Sequence, residues 1–181
     1  MSGADWSEND LTAVGRVRPV LRAPHPVLSQ PSAAVDPLSL ETVQLAADLV
    51  ATMRAAPGCV GLAAVQVGVA AALFAVDVSG HPKAGIVHGT FVLANARVVQ
   101  ATRNEKAREG CLSVPDLTGD VKRASRLVVA GLVPGTGAEA VVETDAFEAR
   151  ALQHEIDHCS GLLFLDRVAG AHALHQRKVY L

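Results

Sequence analysis

The chain of 181 residues is long enough for one domain with a buried core and short for two. Half its residues are hydrophobic and 19% are charged, which excludes a disordered chain, and only 3% are aromatic, so Ala, Val and Leu must fill the interior. Its 16 basic and 18 acidic residues leave a net charge of −2, which argues against a dedicated nucleic-acid binder, and 3 cysteines make no disulfide framework but suit metal binding or catalysis in a reducing compartment.

In chain order, residues 1–15 lack an apolar core and carry Asp5, Glu8, Asn9 and Asp10, so they read as a mobile tail and not as a signal peptide. The rest, 16–181, reads as a single domain. Pro19, Pro24, Pro26 and Pro31 make 16–36 an extended arm lying on it. Asp36-Pro37 has the form of a helix start, with Asp as N-cap and Pro in the first turn. Leu45, Leu49 and Met53, flanked by Ala46 and Val50, then form one apolar face, and Pro57-Gly58 ends the helix.

Residues 55–76 carry no charge and approach the length of a membrane span, but Pro57, Gly58, Gly61, Gln66 and Gly68 interrupt them. A loop that exposes backbone, followed by a buried strand, fits better than a membrane helix. Val-rich strands are predicted at 72–78, 91–99, 126–133 and 140–143, with a hairpin turn at Pro134-Gly135-Thr136-Gly137. A second helix is expected from Asp145, with Glu148 completing a capping box, to about Ser160, with Gly161 just past its end. A short final helix is predicted over 166–178. The fold class is α+β: one domain of mainly antiparallel or mixed short strands around a central metal-binding helix, with an N-terminal helix and a short C-terminal helix.

The strongest chemical signal is His154-Glu155-Ile156-Asp157-His158. On a helix, residues four apart share a face, so two imidazoles can grip one ion while Glu155 reaches a water on it as general base. The stripe Phe147, Ala151, His154, His158 puts both histidines on the buried face, where unpaired imidazoles are costly. A catalytic ion of this type needs a third protein ligand and an open position. The downstream places used by zinc proteases are taken by Phe164 or lack a Glu altogether, since none follows Glu155. His172 and His175 sit in a polar terminal segment, and His25, His81 and His88 in loop contexts that read as surface. The cysteines remain. Cys159 points about 100° away around the helix from His158. Cys111, in Glu109-Gly110-Cys111-Leu112-Ser113-Val114-Pro115, is preferred over Cys59 in the Gly-rich loop, with Cys59 kept as the alternative.

Three segments stand together: Val60-Gly61-Leu62-Ala63-Ala64-Val65-Gln66, Glu109-Gly110-Cys111-Leu112-Ser113, and Gln153-His154-Glu155-Ile156-Asp157-His158. In this order and at these separations they resemble the signature motifs of the peptide deformylases, and the resemblance covers about residues 17–180. The second and third motifs match in full. In the first, Cys59 stands where the family usually has Gly, and Val65 where most bacterial members have Pro.

The resemblance implies removal of the N-formyl group from the initiator methionine of new polypeptides, with release of formate. It implies Cys111, His154 and His158 as metal ligands and Glu155 as the acid–base residue. The Gln66 side chain and the Leu112 backbone N–H would hold the formyl oxygen, and Gly61 would bind peptide backbone. One divalent ion is implied, Fe²⁺ in cells, with Zn²⁺, Ni²⁺ or Co²⁺ able to occupy the site. The family pattern pairs Asp157 with Arg123, and Leu62, Phe147 and Ala151 are candidate walls for a methionine-sized pocket. The implied partners are nascent formyl-methionyl peptides, with room for a transient ribosome contact, in the cytoplasm and without a membrane. The rivals are a zinc endopeptidase, a non-catalytic binder of formylated N-termini, and a specialised deformylase in which Cys59 and Val65 alter substrate or inhibitor response.

Overall fold

Alternate residues of two short strands and of the start of a third, long one face two different helices, and that alternation sets the architecture. The computed structural model describes residues 13–178. Helix α1 is Leu40–Ala55 and helix α2 is Ala146–Cys159. The strands are β1 (Gly61–Ala63), β2 (Leu73–Val76), β3 (Phe91–Cys111), β4 (Val114–Leu132), β5 (Glu139–Asp145) and β6 (Leu174–Gln176). They form one antiparallel sheet in the order β1-β2-β3-β4-β5, with β6 added to β4.

Along β1 and the turn after it, Ala63 and Val65 pack toward α2, while Leu62 and Ala64 pack toward α1. On β2, Phe74 and Val76 join the α2 cluster and Leu73 and Ala75 the α1 cluster. The first four residues of β3 divide the same way, Phe91 and Leu93 against Val92 and Ala94. A strand covered on both faces needs apolar residues at every position, which is why 55–76 reads as one uncharged run. No helix among the described residues is long and apolar enough to cross a membrane.

The N-terminal arm is extended except for a 3-10 turn at Pro26–Ser29. Its backbone is strapped to the polar side of α1: the Arg16 and Arg18 N–H groups donate to Asp48 and Thr52, each at 2.9 Å. Further on, Leu21 and Ala23 donate to the Gln66 and Ser113 carbonyls at 2.8 Å, so the arm braces two of the signature motifs. The expected mobile tail lies outside the described residues through position 12. Its last residues rest on α1, where Gln44 donates to the Val14 carbonyl at 2.9 Å.

Four expectations are corrected. The α1 N-cap is Ser39, which accepts from the Thr42 N–H; Asp36 instead closes the preceding turn by accepting from Leu38. The capping box of α2 does not form, because Asp145 accepts from the Ile86 N–H and Glu148 is engaged by His88 and Thr144. The strands expected at 91–99 and 126–133 are parts of β3 and β4, which are 21 and 19 residues long and stay paired as far as the buried corner at Cys111 and Val114. Residues 97–106 of β3 are exposed and leave no apolar alternation to read, and β4 buries Val121 and Ala124 among charged neighbours. The C-terminal helix is absent. Residues 164–176 make 3-10 turns at Phe164–Asp166 and Ala171–Ala173 and then β6, which satisfies its backbone on β4. Phe164 is 1% exposed and plugs a third small core with Val121 and Leu163.

Candidate metal centre and active-site cavity

Helix α2 carries His154, Glu155 and His158 against the sheet, and Gly161, with φ +75°, turns the chain away at its end. The corner between β3 and β4 brings Cys111 to the same place. One ligand atom from each of Cys111, His154 and His158 lies within 4.8 Å of the others. The Cys111 Sγ is 3.3 Å from His158 Nε2, and the two imidazoles sit edge to face at 4.8 Å between centroids. Of the two cysteines left open by spacing, Cys111 joins the histidines; Cys59 instead donates its thiol proton to the Gly61 carbonyl at 3.1 Å. Thiolate and neutral imidazole donors in this number suit a borderline divalent cation.

The outer partners orient the ligands. Glu109 Oε2 lies 3.0 Å from His154 Nδ1, which leaves Nε2 of that ring for an ion. Glu109 also accepts from Arg123 at 2.6 and 3.0 Å and from Arg150 at 2.8 Å. Burial would push its carboxyl up, but the hydrogen bonds from His154 and Arg123 hold it down at about 2. Arg123 reaches across to Asp157 at 2.7 Å, and Asp157 is gripped from its other side by Arg167 at 2.6 and 3.0 Å. The expected Arg123–Asp157 pair is therefore one link in a buried chain of charges.

Glu155 is buried, and its Oε2 has no hydrogen-bond partner among the described residues. Burial raises its carboxyl to about 7, against the pull of His154 and Arg123. Burial also holds His158 well below the usual imidazole range, in its neutral, ligating form. Gly61 faces Glu155 so closely that a Cβ there would strike the carboxylate. Gln66 is buried; its Oε1 accepts from the Ala63 N–H at 2.9 Å, and its Nε2 lies 3.2 Å from Ser113 Oγ and 3.5 Å from Cys111 Sγ.

These residues surround a cavity of about 370 Å³. Cys59, Val60 and Gly61 form one wall, Gly110, Cys111 and Leu112 another, and Phe147 and Ala151 of α2 a third. Leu62 does not line it: strand alternation turns that side chain to α1, so of the three expected pocket walls only Phe147 and Ala151 hold that place. His81, read from sequence as a surface residue, lines the cavity and stacks flat on Phe147 at 3.6 Å between ring centroids. His88, also read as surface, pairs with buried Glu148 at 2.6 Å. Sequence reasoning missed Glu109, Arg150 and Arg177 as neighbours of the site. Arg150 had a signal, because it lies four residues before His154 on the same helical face.

The polypeptide deformylase family model matches residues 17–173. The chain is 38% identical over 154 residues to a peptide deformylase of Rhizobium meliloti, covering 84% of this chain and 86% of that one. It is 42% identical over 143 residues to the peptide deformylase of Halothermothrix orenii, covering 79% and 88%. Among solved structures, the peptide deformylase of Ehrlichia chaffeensis in complex with actinonin superposes with a TM-score of 0.79 at 31% identity, over 87% of this chain and 91% of that one. The Met-Ala-Ser-bound class I type b peptide deformylase of Acinetobacter baumannii gives 0.76 at 32% identity, over 84% and 99%.

Proposed function

The chain belongs to the peptide deformylase family, metal-dependent enzymes that remove the formyl group from the N-terminal methionine of new polypeptides, and on that premise we propose which of its residues carry the reaction. Cys111, His154 and His158 hold the ion, and the observation that carries this assignment is the convergence of their three ligand atoms within 4.8 Å, together with a buried Glu155 carboxylate oxygen that has no partner among the described residues. We assign Fe²⁺ as the ion, with Zn²⁺, Ni²⁺ and Co²⁺ as substitutes, because one thiolate with two imidazoles accepts all four. When bound, the ion polarises the formyl carbonyl and makes a water acidic enough to give up its proton near neutral pH.

The protein's own groups do the rest. Glu155 Oε2 takes the proton from the attacking water and returns it to the leaving methionine nitrogen. As the formyl carbon becomes tetrahedral, charge gathers on its oxygen, and the Gln66 amide and the Leu112 backbone N–H stabilise it there. Gly61 presents the outer edge of β1. The Asp77 N–H donates to the Val60 carbonyl, so Val60 and Leu62 direct their backbone groups to β2 and Gly61 directs its own away from it. A peptide can lie along that edge as an added strand, recognised through its main chain whatever its sequence. Phe147 and Ala151 wall the space for the methionine side chain. The substrate arises where polypeptides are made, which supports a cytoplasmic location and a transient meeting with the ribosome.

The test is formate release from formyl-Met-Ala-Ser by anaerobically purified protein, with metal content measured in parallel. Glu155→Gln should keep the metal and lose turnover, and Cys111→Ser should lose both. Equal formate release by wild type and Glu155→Gln would overturn the acid–base assignment.

A further inference from the structure

One charged side chain in the cavity has no part in the chemistry above. Arg177 lies in the terminal segment that reads from sequence as solvated surface, yet it lines the cavity. The register of β6 brings it there: Leu174, His175 and Gln176 stand opposite Gly119, Thr118 and Leu117, and the Arg177 N–H extends the ladder by donating to the Asp116 carbonyl at 2.9 Å. Its side chain then folds back over the β3–β4 corner into room left by Gly110, where a Cβ would collide with the guanidinium.

The other two guanidinium groups lining the cavity are neutralised, Arg108 by Asp120 at 2.8 Å and Arg150 by Glu109 at 2.8 Å. Arg177 reaches only the Cys111 carbonyl, at 3.5 Å, and no carboxylate among the described residues pairs with it. Of the two acids in the cavity, Glu109 is already shared by His154, Arg123 and Arg150, and Glu155 lies against Gly61. The cavity that the β1 residue Gly61 also lines therefore presents one half-buried cation with an open hydrogen-bonding fork.

We propose that Arg177 is a specificity-determining residue that favours substrates presenting a carboxylate in the residues directly after the formylmethionine. A planar fork pairs with a carboxylate through two charge-assisted hydrogen bonds, and partial burial shields the pair from water. A cationic side chain at the same place would meet a like charge. The inference rests on the deformylase reading. The carboxylate can come from an Asp or Glu side chain or from the free C-terminus of a short peptide.

The experiment measures kcat/KM of the metal-loaded enzyme on C-terminally amidated formylmethionyl tetrapeptides with Asp, Asn or Lys at the second, third or fourth position. Formyl-Met-Ala-Ser as free acid and as amide separates the two sources of the carboxylate. At one of these positions, or at the free C-terminus, the acid should be preferred over its neutral counterpart by about five- to tenfold, mainly through KM. The preference should shrink as salt is raised from about 0.05 to 0.5 M. It should vanish in Arg177→Met and invert toward Lys in Arg177→Glu, with metal content and melting curve confirming a folded enzyme. If those variants do not fold, Arg177→Lys, which keeps the charge and loses the fork, should retain a smaller preference. Formate release from the neutral peptides with no acid preference in wild type, or a preference that survives both charge reversal and salt, overturns the Arg177 assignment. Failure to release formate from every peptide overturns the deformylase reading instead.

Discussion

Gly61 and Glu155 contend for the same space: a Cβ on the glycine would overlap the carboxylate of the glutamate. On the proposed assignment, the absence of a side chain at Gly61 serves two ends, since it would free the strand edge for peptide and set how far Glu155 can swing toward β1. Gly61→Ala should push the carboxylate aside and lower kcat by about a hundredfold while leaving the metal in place, because a displacement of about an ångström at a reacting group has that effect. Steady-state kinetics with metal analysis checks this; kcat within twofold of wild type would show that Glu155 has other room.

Gln66 is held by the Ala63 N–H and by Ser113, so its amide faces the cavity in one orientation. Gln66→Leu should cut kcat by about a hundredfold or more through loss of a donor to the developing charge. It should also lower stability by about 1–3 kcal/mol, because the Ala63 N–H is left buried without its acceptor. Urea melts and kinetics on the same preparation separate the two effects, and an unchanged kcat would remove Gln66 from the reaction.

Arg123 lies between Glu109 and Asp157, both of them buried. Arg123→Met should destabilise the fold by about 3–5 kcal/mol, as expected when one partner leaves a buried ionic chain. Because Glu109 orients His154, metal affinity should fall about 10- to 100-fold as well. Chelator competition against the purified variant reads the second quantity.

Burial, reinforced by the negative charge of Glu155, pushes the Cys59 thiol up to about 12. The raised value keeps the thiol protonated through neutral pH, and the reactive thiolate appears only as pH climbs toward 12. At pH 8 its thiolate population should be roughly a thousandfold below that of a free cysteine. Iodoacetamide labelling resolved by peptide mass spectrometry should find Cys59 nearly unmodified in the folded protein and modified after denaturation. Rapid native labelling would contradict the raised value of this half-buried thiol.

With iron at the centre, the Cys111 thiolate sits beside a redox-active ion and is exposed to oxidation. The iron-loaded enzyme should lose activity in air within a time that added reductant lengthens, and the nickel- or zinc-loaded enzyme should not. Equal half-lives with and without oxygen would count against iron.

The parts of the site legible in sequence are those that one helix arranges by itself. The 3.6-residue period places His154 and His158 on a shared buried face before any tertiary contact is known. Cys111 is different, because spacing alone leaves it in competition with Cys59 and only the β3–β4 corner decides between them. Glu109 and Arg123 do not stand opposite each other, since the β3–β4 register sets Arg123 against Glu105 and Glu109 against Gly119, and no local pattern encodes which long side chains meet along that face. Arg177 was hidden for a related reason. A polar segment ending in basic residues resembles a solvated helix until the free edge of β4 recruits it as a strand. Leu62 erred in the opposite direction: it lies beside Gly61 in sequence, and the two-residue period of a strand sends it to the far side of the sheet.

The exposed stretch 97–106 of β3 and the doubly covered strands β1 and β2 have unequal stability. Amides near residues 100–106 should exchange with deuterium through small local openings, whereas those of β1, β2 and α2 should wait for near-complete unfolding. Since two of the three proposed ligands ride on α2 and the third sits where β3 turns into β4, local opening of the exposed stretch 97–106 can be tolerated without emptying the centre.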